Sequence, residues 1–145
     1  MATNTTFTPQ VLGETEKALN AILFRQLDAT GLTEPQWIVL QLTTGAGGEM
    51  PRERLVGRLA GALKVDAGKA ETLVDEMAAA GLLRSSEEGQ VTVAEPGAQV
   101  HARVRGEVGE IMRRLWGDLP AADLDTTGRT LATILERANA HFGAA

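Results

Sequence analysis

Between residues 81 and 96 the chain changes its hydrophobic period, and afterwards it changes back. Upstream, apolar residues recur every three or four positions, the spacing of an amphipathic helix. Segments 82–86 and 90–94 instead suit two short strands, and Glu87-Glu88-Gly89 between them is a turn, so the spacing predicts a β-hairpin. Downstream the helical spacing resumes through Val100, Val104, Val108, Ile111, Met112 and Leu115. A small hairpin set between helices limits the chain to a mainly α fold with one small sheet element.

The helices before the hairpin have legible ends. The first runs over 9–29 on a stripe that includes Leu19, Leu23 and Leu27, and Gly31 stops it. Thr33-Glu34-Pro35-Gln36 has the composition of a capping box with proline in the first turn, and that helix ends near Thr44. Gly45-Ala46-Gly47-Gly48 is a loop by composition, and a short third strand is expected near Glu49 and Met50. Pro51 opens a helix with Leu55, Leu59, Ala62 and Leu63 on one face and Arg52, Arg54 and Arg58 on the other. A break at Lys64-Val65 leads to Asp66 as N-cap of a helix that turns Ala70, Leu73, Val74, Met77 and Ala78 inward. After the hairpin and the long helix, Gly117-Asp118-Leu119-Pro120 separates off a last helix over 123–142. Leu124, Leu131, Ile134, Leu135, Ala138 and Phe142 are expected to be buried there.

Two short helices joined by a tight turn and followed by a hairpin make a winged helix-turn-helix. Its second helix, at about 67–80, has the dimensions to enter a DNA major groove. The winged region spans 33–95, within a single domain covering 1–145. Residues 97–142 make two long amphipathic helices whose apolar surface one small winged domain cannot cover alone, which predicts a homodimer built by the terminal helical regions 9–31 and 97–142.

Composition removes other classes. The chain has 145 residues and no cysteine, which excludes disulfides, thiolate metal sites, cysteine nucleophiles and thiol redox sensing. Aromatic residues are 3% of the total, consistent with a helical fold. No apolar run approaches the roughly 20 residues that span a bilayer. Residues 1–8 read as a polar, frayed leader without a secretory pattern, so a cytoplasmic protein is expected. Glycine-rich phosphate loops, nucleophile elbows and paired His/acid constellations are missing from the sequence, so it is not expected to be an enzyme. His101 and His141 are too few for a metal site, and no cofactor is expected. Trp37 and Trp116 both lie on apolar stripes and are expected in the core.

Several segments carry a resemblance. They are the run from Leu32-Thr33-Glu34-Pro35-Gln36-Trp37 to Leu40, Leu59-Ala60 with Leu63, and Leu73-Val74-Asp75-Glu76-Met77 closing at Gly81-Leu82-Leu83-Arg84. Val93-Ala94-Glu95-Pro96-Gly97 adds the passage from wing to long helix. In these the chain is similar to the multiple-antibiotic-resistance regulator (MarR) family of winged helix-turn-helix transcriptional regulators, over nearly its whole length. The resemblance implies a homodimer that binds a pseudo-palindromic operator in double-stranded DNA and responds to a small-molecule effector. It places DNA contacts at Gly68, Lys69 and Thr72 on the recognition helix, at Arg52, Arg54 and Arg58 on the helix before it, and at Arg84 and Gln90 in the wing at 84–94. Relatives bind effectors between the dimer helices and the winged region, where Trp37, Arg25 and His101 are the candidates here.

The charge pattern departs from that family. Ala67-Gly68-Lys69 occupies positions where polar Arg-Ser-Thr-like residues are usual, and the wing tip is Glu87-Glu88-Gly89-Gln90, without the family's Asp-x-Arg. Whole-chain net charge is −5, and between Thr33 and Glu95 six basic side chains face ten acidic ones, a net −4. Phosphate contacts release counterions, so a deficit of basic groups weakens DNA binding. The alternative expectation is a winged-helix protein with weak or lost DNA binding that acts as a protein-interaction module.

Overall fold

A computed structural model describes residues 5–144. Part of the expected leader, residues 1–4, lies outside the described residues. The elements run α1 (Pro9–Asp28), α2 (Glu34–Gly45), β1 (Glu49–Pro51), α3 (Arg52–Leu63), α4 (Ala67–Ala79), β2 (Leu83–Ser85), β3 (Gln90–Val93), α5 (Glu95–Trp116) and α6 (Ala121–Ala144). This is the expected mainly α winged helix-turn-helix, with the third strand at the expected place.

Local chemistry sets the boundaries. The Thr8 hydroxyl accepts from the Val11 N–H at 3.1 Å and starts α1. Thr33 and Gln36 form a reciprocal capping box at α2, with the Gln36 N–H donating to the Thr33 hydroxyl and the Thr33 N–H to Gln36 Oε1. Lys64 closes α3 in the left-handed conformation at φ 57°, a costly state for a non-glycine residue that lets the chain turn directly into α4. The Asp66 carboxylate then caps α4 by accepting from the Lys69 N–H at 2.8 Å.

The sheet has order β1-β3-β2 and is antiparallel throughout. Met50 pairs with Val91 and Leu83 with Val93, so apolar side chains of all three strands meet the helices. Gly89, at φ +83°, makes the hairpin turn. Its carbonyl accepts from the Arg52 N–H at 2.8 Å, which ties the wing tip to the start of α3.

Contacts divide the chain into two units, one through residue 108 and one from residue 109. The first holds a core that joins every element up to α5, centred on Val39, Leu40, Leu55, Leu59, Val74 and Met77. On α3 the buried stripe is Leu55, Val56 and Leu59, and Ala62, expected on that face, is exposed. On α4 Ala70, Val74 and Met77 are buried while Leu73 and Ala78 are half-buried at the edge.

The second unit comprises the end of α5, the turn and α6. Gly117 ends α5, and its N–H donates to the Arg113 carbonyl at 2.8 Å. Here the sequence expectation needs correction. No residue of α6 is buried: Leu131, Leu135 and Phe142 are 36%, 61% and 64% exposed. Trp116, expected in the core, is 38% exposed. Periodicity identifies which side of a helix is apolar, but it does not say whether this same chain supplies the covering surface.

Candidate nucleic-acid interface

The expected DNA-contacting residues fall into separate groups. Gly68, Lys69 and Thr72 share one shallow depression on α4, along with Asp66, Leu73 and Glu76. Lys69 is exposed and is the single basic residue of α4. The Thr72 hydroxyl donates back to the Gly68 carbonyl at 3.0 Å, within the helix. Asp66 already places a carboxylate at the α4 N-terminus, where unpaired N–H groups would otherwise attract a phosphate.

Arg52 is bound to α4. Its guanidinium pairs with the Asp75 carboxylate at 2.8 Å and donates to the Glu71 carbonyl at 3.4 Å, bracing α3 against α4. The partners are 23 positions apart, so helix periodicity alone gave no sign of Asp75 as a partner. Arg54, Arg58 and Gln90 line a different cleft, with Glu49, Met50 and Pro51. A third hollow, where α3, α4 and the wing tip meet, brings together Glu53, Glu71 and Glu88 with Arg52 and Gln90. Arg84 is exposed on β2, opposite Thr92 of β3.

Two of the three effector candidates meet. The Trp37 ring from α2 stacks on the His101 ring from α5, with centroids 4.9 Å apart and planes inclined by 22°. Both residues are buried. His101 Nε2 lies 2.6 Å from Gln41 Oε1; that oxygen can only accept, so the imidazole donates its Nε2 proton. Sequence gives no signal for Gln41, because it lies 60 positions from its partner. Arg25 is exposed on α1 and makes no hydrogen bond or ion pair among the described residues. No group of three or more His, Asp or Glu side chains among the described residues could hold a metal ion. No described helix is long and apolar enough to cross a membrane.

Burial lowers the His101 pKa from its ordinary 6.5, and the nearby Arg105 charge lowers it further. The unfolded chain therefore takes up this proton before the folded chain does. The His101 contribution to folding stability is fully present above about pH 6.5 and is lost as pH falls from there through the lowered value. Thermal melts at pH 7.5 and 5.5 should show an acid-induced loss in the wild type that is smaller in His101→Gln. Equal losses in the two proteins would show that His101 does not contribute it.

No family model matches the chain, and no curated protein matches it in sequence. Solved structures match in fold. A MarR-family transcriptional regulator from Silicibacter pomeroyi superposes with a TM-score of 0.74 at 23% identity, covering 92% of this chain and 90% of that one. NadR in complex with 4-hydroxyphenylacetate gives 0.72 at 15% identity, over 92% and 96% of the two chains. CouR from Rhodococcus jostii RHA1 bound to p-coumaroyl-CoA gives 0.70 at 19% identity, over 86% and 88%. The fold of the chain thus resembles that of MarR-family regulators along nearly its full length.

Proposed function

We propose that the protein is a dimeric, ligand-responsive transcriptional regulator that binds double-stranded DNA through α4 and the wing. The observation that carries this reading is architectural. Helices α3 and α4, the left-handed turn at Lys64 and the three-stranded wing form a complete winged helix-turn-helix, in a fold shared along its length with known regulators. In this reading residues 33–95 form the DNA-binding region. The helical regions 9–31 and 97–142 form the dimer, and the single domain acts in the cytoplasm without enzymatic activity. The apolar residues exposed on α6 support dimerisation, because exposed Leu131 and Leu135 on one amphipathic helix mark an interface. The effector reading draws on the ligands held by NadR and CouR, with Trp37 and His101 as the contacts.

A second reading has its own support. The hollow lined by Glu53, Glu71 and Glu88 repels phosphate, which favours a winged-helix module that binds protein instead. A salt series with duplex DNA from the region beside the protein's own gene separates the two. A DNA-binding regulator gives log affinity falling linearly with log salt, with two chains bound per duplex. Affinity that stays at background across the series rejects DNA binding and leaves the protein-interaction module.

A further inference from the structure

We propose that the cleft between α3, β1 and the start of β3 binds a small-molecule oxyanion, a phosphate or carboxylate, through the guanidinium groups of Arg54 and Arg58. These two residues are four apart on α3, so their side chains are neighbours on one helix face. Like charges at that spacing destabilise a helix unless something neutralises them. Arg52 has Asp75 and Arg103 has Glu107 as ion-pair partners, whereas Arg54 and Arg58 have none among the described residues.

The pair also lines a concavity. The cleft is partly open to solvent and has a volume of about 620 Å³, within the size range of small-molecule pockets. Gly47, at φ +92°, forms part of the wall without a side chain. Gln90 supplies a neutral carboxamide, and Glu49 a carboxylate. With two guanidinium groups and one carboxylate the lining has a net charge of about +1, and the favoured ligand carries an oxyanion beside a hydroxyl or amine that can donate to Glu49.

This cleft is distinct from the depression around Lys69 on α4. At about 100° per residue, Arg54 and Arg58 lie roughly 200° and 240° around α3 from Arg52, which faces α4. The cleft shares no lining residue with the depression around Lys69. It does share Pro51 and Gln90 with the acidic hollow at the wing tip, so a bound ligand would touch α3 and the wing together.

The test is a backbone amide NMR titration of the full chain with sodium phosphate, against sodium chloride at matched ionic strength. Saturable, phosphate-specific shifts are expected at Gly47, Arg54, Arg58 and Gln90. Arg54→Gln with Arg58→Gln should weaken phosphate binding by at least about tenfold. Glu49→Gln should tighten it several-fold, and Lys69→Ala should leave it unchanged. Shifts that chloride reproduces, or that persist in a folded double variant, overturn the proposal. A double variant that loses duplex affinity, in a protein whose phosphate titration never saturates, assigns the arginines to the DNA backbone and also overturns it. Failure here leaves DNA binding by α4 standing, because that is read separately at Lys69.

Discussion

Gly97→Ala should cost about 3 kcal/mol of folding stability, although alanine is the better helix former. Gly97 is buried near the start of α5. A methyl group there would meet the Leu82 carbonyl oxygen at 2.3 Å and Leu40 Cδ2 at 3.3 Å. The first contact decides the sign. That carbonyl accepts from the Ala94 N–H at 3.0 Å, and the next residue, Leu83, pairs with Val93 in the sheet. The oxygen cannot retreat without disturbing the join between the wing and α5. Helix propensity favours the substitution by about 1 kcal/mol, too little to offset overpacking against fixed backbone. Gly106→Ala is the control, since it lies in the same helix with nothing within 4 Å of the added carbon. It should stabilise by about 0.5–1 kcal/mol. Urea unfolding followed by circular dichroism measures both. A Gly97→Ala protein as stable as the wild type would show that α5 is not packed this closely on Leu82.

Features with a local cause were legible in the sequence. The capping box at Thr33 and Gln36, the Asp66 cap and the glycine turn at Gly89 each depend on residues within a few positions of one another. The alternation in 82–94 was enough to place the wing, and even the short strand at Glu49 could be anticipated. Contacts between distant segments were not legible. In sequence Arg52 is one of three equivalent surface arginines, but Asp75 pairs with it, while Arg54 and Arg58 have no ion-pair partner among the described residues and line a cleft on another side of α3. His101 was a bare candidate until the fold brought Trp37 and Gln41 to it. The same limit explains α6. Its apolar stripe is real, but whether it lies in a core or on a surface depends on what covers it, and periodicity does not carry that information.

At the recognition surface, Lys69→Ala should weaken duplex binding by about 1–3 kcal/mol per half-site if the side chain reads a base. If it contacts a phosphate instead, the salt slope should drop by about one. The contact has to come from the ammonium group, because the Lys69 N–H already donates to Asp66. No other basic residue of α4 can take its place. The surrounding charge opposes binding: Glu76 lines the same depression, and Glu71 and Glu88 line the hollow beside it. Glu71→Ala and Glu88→Arg should therefore strengthen non-specific binding, the second more than the first because it changes the charge by two. Its salt slope should steepen, since each added phosphate contact releases about 0.9 of a counterion. All three side chains are exposed, and neither Lys69 nor Glu88 forms an ion pair among the described residues, so folding should be unaffected. If all three variants bind duplex DNA as the wild type does, with circular dichroism unchanged, then α4 does not face DNA. Its acidic surroundings would then be a docking face for protein, which Glu71→Ala and Glu88→Arg should weaken.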